Sequence, residues 1–349
     1  MSIRVPFTEV EETCRKAFVN IGVPEDKAQV CARIHTESSA DGVESHGLNR
    51  IPRFAEYVQK GLVDVHAEPT LVGSKGAAEN YDGHLGIGVT NALFCSDRAL
   101  ALAKEHGIGL VAIRNTTHWM RGGTYAWKMA KEGFIAISWI NTESCMPMWG
   151  SDKPSVGNNP FCIAIPRKNG EIVVDMAMSQ YAYGKLGVYR LAGRQLPYPG
   201  GFDKDGNLTT DPGAIEDSMR ILPTGYWKGS SLAIALDLAA AMISAGKCGS
   251  DLDEEHRGSC TGCSQIFIAI DPNMFGDPDE LQKMLDRRVA AADAAHPINP
   301  ARPVKCPGEN TIERRKKSLE DGVVVDENVW AQIQSLAAGD LNVRDIASK

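Results

Sequence analysis

A histidine beside two arginines distinguishes the segment GVESHGLNRIPR, residues 42–53. His46 precedes Arg50 by four residues and Arg53 by seven, and Pro52 restrains the residue before it, which predicts an irregular loop leading into a helix. An arginine can bind a carboxylate through two hydrogen bonds, and an imidazole can exchange a proton near neutral pH. The segment therefore indicates acid–base chemistry on a carboxylic acid or, equally well, a structural histidine beside two solvated arginines.

A second histidine lies in NTTHWMRGG, residues 115–123, between an apolar run of strand length and a helical segment. A turn from strand to helix leaves backbone N–H groups unpaired and favours a bound anion. Arg121 adds a positive charge, and Gly122 and Gly123 would let a ligand approach the backbone. We therefore favour a binding site that includes His118 over the alternative, in which its neighbours fill the core and it is a structural donor.

Two further segments carry reactive side chains. Lys228, in YWKGSS, precedes an apolar helix that we expect to be buried, so it could meet an anion at the helix N-terminus or lie on the surface as an ordinary lysine. Four other side chains could ligate zinc, but only one C-x-x-C pair occurs among them, so we expect incidental thiols and no metal. These four are Cys248, His256, Cys260 and Cys263.

The composition is that of an ordinary globular protein with a sizeable core. The chain has 349 residues, of which 43% are hydrophobic and 23% charged, so one or two domains are expected. The net charge of −7 argues against nucleic-acid and membrane partners. Nine mostly isolated cysteines, and a start without a secretory signal, predict a reduced protein of the cytoplasm.

The periodicity of apolar residues predicts a mixed α/β fold with helical segments at both ends. Predicted helices occupy residues 8–40 in two pieces, 52–60, 88–106, 124–132, 229–246, 278–294 and 326–337. Predicted strands occupy residues 108–113, 134–140, 161–165, 172–176 and 265–270. We expect helical, dimer-forming segments at 1–75 and 310–349 around a cofactor- and substrate-binding core at 76–309. Within that core, residues 190–226 predict a long ordered excursion.

The usual glycine fingerprints of nucleotide-binding proteins are absent from the sequence. Neither G-x-G-x-x-G nor G-x-x-x-x-G-K-[ST] occurs, and the glycines of DGHLGIG at 82–88 have the wrong spacing. A standard Rossmann or P-loop domain is therefore disfavoured. If the protein binds a dinucleotide, another kind of fold must form the site.

Several segments, in order along the chain, resemble the malate/L-lactate dehydrogenase family of the non-Rossmann type. They are SHGLNR (45–50), HGIGLVAIRNTTHWMRGG (106–123), NNPFCIAIP (158–166), VDMAMS (174–179) and YWKGS (226–230). The resemblance covers about residues 5–335. It implies a mixed-sheet core between helical N- and C-terminal segments, and a homodimer with the active site near the subunit interface.

The resemblance also implies hydride transfer between NAD, or alternatively NADP, and C2 of a small 2-oxo or 2-hydroxy acid. By the same resemblance His46 is the first candidate acid–base group and His118 the second, while Arg50 binds the substrate carboxylate. Further candidate substrate contacts are Ser45, Arg53 and Arg121. Implied cofactor contacts are Thr142, Glu171, Ile172, Val173, Val174, Asp175, Met176, Ala177, Trp227, Lys228, Pro307, Gly308 and Glu309.

The segments RLAGRQLP (190–197), GGFD (200–203) and ILPTGYWKG (221–229) are most similar to a subgroup of this family that reduces a sugar acid. Within the family, a malate, L-lactate or ureidoglycolate dehydrogenase is the alternative. An alternative of another class is a dinucleotide- or metal-binding protein without catalysis. Bound zinc without dinucleotide binding would favour that last alternative.

Overall fold

The computed structural model describes residues 2–258 and 260–342, so residues 343–349 of the predicted C-terminal segment lie outside the described residues. The α-helices are α1 (Phe7–Asn20), α2 (Glu25–Ala40), α3 (Ile51–Gln59), α4 (Gly88–His106), α5 (Gly122–Lys131), α6 (Tyr183–Leu191), α7 (Pro212–Ser218), α8 (Trp227–Ser244), α9 (Gly249–Glu255), α10 (Pro278–Asp293), α11 (Glu309–Asp321) and α12 (Glu327–Ala337). The strands are β1 (Ser2–Val5), β2 (Thr70–Lys75), β3 (Ala78–Asp82), β4 (Ile108–Thr116), β5 (Ile135–Ile140), β6 (Met146–Pro147), β7 (Pro154–Val156), β8 (Phe161–Ile165), β9 (Ile172–Met176), β10 (Gly201–Phe202), β11 (Leu208–Thr209), β12 (Cys263–Ile270) and β13 (Val323–Asp326).

A seven-stranded sheet with the order β2-β3-β4-β12-β5-β8-β9 forms the centre of the protein. The pair β3–β4 is parallel and the other neighbouring pairs are antiparallel. Along β12 the side chains alternate between the two faces of the sheet. Phe267 and Ala269 face the core shared with α4 and α5, whereas Ile266 and Ile268 face α8. The predicted mixed-sheet α/β class is confirmed.

The first and last elements of the described chain pack against each other. Strand β1 pairs with β13, α1 packs against α12, and the Asn20 side chain donates hydrogen bonds to the carbonyls of Leu336 and Ala337. Strand β2 belongs to the central sheet and forms a hairpin with β3, so the boundary predicted at residue 75 falls between the two strands of this hairpin. The sheet begins at residue 70.

The predicted helices and strands are present, with ends that differ from the prediction by at most about three residues. Helix α11 was missed because its sequence, ENTIERRKKSLED, has almost no apolar stripe. Tertiary hydrogen bonds hold it instead, including one from the Ser318 hydroxyl to the carbonyl of Ala40. Strand β1 was missed because four residues give too short a pattern to recognise.

The excursion predicted at residues 190–226 contains α7, β10 and β11. It does not simply cross the surface, because Ile215 and Ile221 are fully buried. They pack with Leu186 of α6 and with Leu196 in a second apolar cluster on the α8 side of the sheet. The excursion and α6 therefore form a small layer of their own.

Helix α8 is not buried on all sides, which corrects the prediction from its apolar sequence. Leu236 and Ala240 pack against the sheet, but Leu238 is 49% exposed and Met242 is 81% exposed. A helix lying on a sheet buries only the stripe that faces the sheet. Among the described residues no single helix is long and apolar enough to cross a membrane; α8 and α9 meet that test only as a pair bent by 81°.

A buried ionic network joins three parts of the chain. Asp41, directly after α2, is 1% exposed and accepts hydrogen bonds from Arg121, before α5, and from Arg315 of α11. Both guanidinium groups also lie over the ring of Trp127. A buried carboxylate without such partners would be strongly destabilising, so folding requires these three segments to meet.

The substitution Asp41→Asn should lower the free energy of unfolding by about 3–5 kcal/mol, because it removes the buried charge that two largely buried guanidiniums share. Urea denaturation followed by circular dichroism measures this change. The control is Asp97→Asn, which breaks the more exposed pair with Lys128 and should cost less than about 1 kcal/mol. Equal stability of the two variants would contradict the central role of Asp41.

Candidate active site

The loop after α2 and the loop between β4 and α5 bring the two predicted histidines together. The ring centroids of His46 and His118 are 5.7 Å apart and the planes are inclined by 27°. His118 lies in a strand-to-helix turn, as the sequence predicted. The ion pair between Asp41 and Arg121 joins the same two loops, so it fixes the distance between the histidines.

Hydrogen bonding fixes the proton of neutral His118 on one ring nitrogen. The backbone N–H of Met120 donates to His118 Nδ1 over 2.8 Å, which requires Nδ1 to be unprotonated and the proton to lie on Nε2. Burial, followed by the charge of Arg50, holds the pKa of His118 well below its usual value. His118 is thus suited to donate a hydrogen bond from Nε2 rather than to exchange a proton.

His46 has no comparable restraint on its protonation. Its Nδ1 lies 3.0 Å from the hydroxyl of Ser45, which can either donate or accept a hydrogen bond. Burial, followed by the charges of Arg50 and Arg121, lowers the pKa of His46 to about 3. At neutral pH His46 is therefore uncharged, and it lies near the positive charges of Arg50 and Arg121.

A cavity of about 320 Å³, here called the first cavity, contains both histidines together with Arg50 and Arg53. Arg50 Nε donates to the carbonyl of Ser45, and Arg53 Nε donates to the Tyr57 hydroxyl over 3.2 Å. Among the described residues Arg53 forms no ion pair with a carboxylate, so its charge remains available to an anionic ligand. The predicted substrate residues Ser45, Arg50 and Arg53 all line this cavity.

A second cavity of about 430 Å³ adjoins the first at His46. The two share Ser45, His46, Asn158, Pro160 and Ala182. A ligand in each cavity would therefore meet the other beside the imidazole of His46. This arrangement suits a reaction between two bound molecules.

Part of the predicted cofactor set lies at the second cavity. Val173, Asp175, Met176 and Ala177 line it. Ile172 and Val174 belong to the same strand, β9, but do not line the cavity. Glu171 accepts a hydrogen bond from the indole of Trp127, and Trp127 lines the cavity.

The predicted segment Pro307–Gly308–Glu309 lies beside the same strand. The carbonyl of Pro307 accepts a hydrogen bond from the backbone of Val173 over 3.0 Å. A Cβ atom on Gly308 would lie 2.9 Å from the Glu171 carbonyl, so only glycine allows this approach. Glu309 begins α11, whose Thr311 lines the second cavity.

Three of the predicted cofactor contacts lie elsewhere. Thr142 lines the first cavity. Trp227 and Lys228 are exposed in the first turn of α8 and line neither cavity, although Thr224 lines the second. Their contact with a cofactor stays a prediction.

Arg121 was predicted to contact the substrate, but its side chain contacts carboxylates of the protein itself. Its side chain is 6% exposed, paired with Asp41, and 3.6 Å from a carboxylate oxygen of Asp175. Its charge is therefore already compensated within the protein. Sequence reasoning could not detect this because the partner lies 80 residues away in the chain.

The alternative zinc site receives no support from the thiols. Cys260 and Cys263 are buried, and this burial raises the pKa of both thiols, so they behave as small apolar side chains. The cluster of possible metal ligands among the described residues is a different one, formed by Asp293, Cys306 and Glu309.

Helix α6, which the sequence analysis did not identify, forms another wall of the first cavity. Tyr183, Gly184 and Gly187 line the cavity. A Cβ atom on Gly184 would lie only 2.8 Å from Cβ of Ser45, so the helix packs directly against the turn that carries His46. The sequence offers no local signal for this contact, since it joins segments about 140 residues apart.

The site consists of two adjoining cavities around a histidine pair, on a mixed sheet without a Rossmann fingerprint. The chain matches the malate/L-lactate dehydrogenase family model over residues 5–334 and belongs to this family. It is 41% identical, over 96% of this chain and 100% of the relative, to 2,3-diketo-L-gulonate reductase of Klebsiella pneumoniae (strain 342). The protein is an oxidoreductase of the dehydrogenase type.

Solved structures agree with this assignment. Sulfolactate dehydrogenase from Methanocaldococcus jannaschii superposes with a TM-score of 0.86, at 27% identity over 98% of both chains. Malate dehydrogenase from Entamoeba histolytica superposes with a TM-score of 0.91, at 22% identity over 97% of this chain and 98% of that one. The second likeness concerns the fold alone.

The substitution Gly184→Ala should reduce kcat by about ten- to a hundredfold, because the added methyl group displaces Ser45 and with it His46. The affinity for dinucleotide should change little, since Gly184 does not line the second cavity. Steady-state kinetics and a fluorescence titration with NADH measure the two effects. Gly73→Ala, where the new methyl group meets open space, is the control, and equal kcat for both variants would contradict the positioning role.

Proposed function

We propose that the protein transfers a hydride between NAD(P)H and C2 of a 2-oxo sugar acid, converting 2,3-diketo-L-gulonate to 3-dehydro-L-gulonate. The observation that carries this proposal is the meeting of two cavities at His46, with Arg50 and Arg53 in the first. The substrate assignment rests on the relative named above, which is 41% identical. Malate, L-lactate and ureidoglycolate dehydrogenases remain alternatives within the family.

Each residue of the first cavity has a role in this proposal. Arg50 and Arg53 bind the substrate carboxylate, and His118 donates a hydrogen bond from Nε2 to the oxygen on C2. His46 gives a proton to that oxygen in reduction and takes it back in oxidation. The Ser45 hydroxyl orients His46 through Nδ1. Separate donors thereby stabilise the developing charge and deliver the proton.

The size and lining of the second cavity support a dinucleotide as its ligand. Its volume lies within the usual range for ligand pockets, and Trp127, Met176 and Ala177 supply apolar surface. Thr311, in the first turn of α11, lies where a helix N-terminus favours a phosphate. A bound nicotinamide would supply or accept the hydride. We propose NAD as the cofactor, with NADP as the alternative. The additional phosphate of NADP would need an available positive charge, whereas Arg121, a cation at this cavity, is already paired with Asp41.

We also propose a homodimer in the cytoplasm, acting on a small molecule and without nucleic-acid or membrane partners. The outward face of α8 supports the dimer, because Ile234, Leu238 and Met242 form an exposed apolar stripe. Such stripes commonly mark contact surfaces between proteins.

The initial rate of NADH and NADPH oxidation tests the proposed function. We expect 2,3-diketo-L-gulonate to be reduced faster than oxaloacetate, pyruvate or oxalurate, with one cofactor preferred. A preference for oxaloacetate or pyruvate would retain the chemistry and replace the substrate.

His46→Ala should lower kcat by about 10²–10⁴-fold while NADH still binds, because only the proton donor is lost. Near-normal turnover by this variant would remove His46 from the mechanism.

Binding of the substrate carboxylate should be accompanied by proton uptake. Burial is the largest cause of the lowered pKa of His46 and the charge of Arg50 is the next. A bound carboxylate offsets the charge of Arg50, so we expect that pKa to rise in the complex. Because the free pKa is about 3, uptake should increase as the pH falls from about 7 to about 5.

Calorimetric titration of the cofactor-free protein with 2,3-diketo-L-gulonate, in buffers of different ionisation enthalpy, measures this uptake. His46→Gln should abolish it. Uptake that is equally large in this variant would assign the proton to another group.

A further inference from the structure

The first cavity contains a carboxylate that the proposed chemistry does not use. Glu143, in the loop after β5, is half-buried and lines this cavity together with His46 and Arg50. Its Oε2 accepts a hydrogen bond from the backbone N–H of Cys260 over 2.7 Å. Among the described residues no lysine, arginine or histidine forms an ion pair with Glu143, and its Oε1 has no hydrogen-bond partner.

The loop around Glu143 is held on both sides. The backbone N–H of Thr142 donates to the side chain of Asn159 over 2.9 Å, and that of Ser144 donates to Asp253 over 2.8 Å. Together with the bond from Cys260, these contacts fix the carboxylate before any ligand binds. Such preorganisation is typical of a group that recognises a ligand.

The other acidic groups of the cavity differ from Glu143. Glu216 also lines it, but its carboxylate is paired with Arg190 of α6, and Asp217, the third carboxylate there, is not without a partner. A half-buried carboxylate without a counter-charge is costly unless it gains a hydrogen-bond donor. The cavity therefore contains guanidinium groups, which can bind one carboxylate of a substrate, and an anion, which would repel a second carboxylate.

We propose that Glu143 determines substrate specificity by accepting a hydrogen bond from a hydroxyl group of the substrate and by repelling a second carboxylate. The inference rests on the proposed function and names the residue that distinguishes a sugar acid from a dicarboxylic acid within it. A cavity that provides an acceptor for a hydroxyl rejects analogues lacking that hydroxyl. An unpaired charge placed against a competitor adds specificity by repulsion.

The test compares kcat/KM for three substrates in the wild type and in Glu143→Gln. Pyruvate, which has one carboxylate and no hydroxyl, is the reference, so a general loss of activity cancels from each ratio. In the variant, kcat/KM for oxaloacetate relative to pyruvate should rise at least about tenfold, because the repulsive charge is gone. The ratio for 2,3-diketo-L-gulonate to pyruvate should fall by about tenfold, because a charged acceptor is replaced by a weaker neutral one.

The test includes two further variants, Glu143→Asp and Glu254→Gln. Glu143→Gln keeps an oxygen that can accept from Cys260, so the loop should fold. Glu143→Asp keeps the charge, and should still discriminate against oxaloacetate while losing part of the preference for the sugar acid. The control Glu254→Gln removes one charge from the exposed face of the nearby α9 and should leave both ratios within twofold of the wild type.

The outcomes separate this inference from the proposed function. Unchanged ratios in Glu143→Gln, with an active wild type that prefers the sugar acid, would overturn the role of Glu143 alone. Equal changes in Glu143→Gln and Glu254→Gln would also overturn it, since they would reflect net charge. A wild type that oxidises NAD(P)H with none of the three acids would overturn the proposed function and this inference together.

Discussion

The carboxylate of Asp41 is the contact on which the active site depends. It lies five residues before His46, and its partner Arg121 lies three residues after His118, so one buried ion pair sets the separation of the two histidines. Arg315 of α11 completes the arrangement and joins the C-terminal part of the chain to it. Because removing either side of a buried pair is strongly destabilising, the fold and the site cannot form separately.

The electrostatics of the site follow from burial beside fixed positive charges. Burial first, and Arg50 second, keeps both histidines uncharged in the ligand-free protein. In the proposed function the carboxylate of the substrate offsets this positive charge. Glu143 acts in the opposite sense, because its unpaired charge opposes a second anion.

Local sequence was sufficient for most of the longer regular elements. The helical period predicted α1, α2, α4 and α12, and apolar runs predicted β5, β8, β9 and β12, because each of these buries one continuous stripe or strand. His46, His118 and Arg50 could be proposed as site residues from the sequence because their types and spacing suit acid–base chemistry. The sequence failed for α11, which is polar on nearly all sides, and for α8, whose apolar outer face is exposed.

Tertiary structure alone decided which of these residues act together. The sequence determined that the chain forms a mixed α/β fold with two loops carrying histidines beside arginines. Only the folded chain showed that Arg121 is bound to Asp41, that Gly184 supports Ser45, and that Glu143 enters the same cavity as Arg50. Periodicity reports the neighbours of a residue within one element, whereas these contacts join segments about 80 to 140 residues apart and depend on how the elements pack.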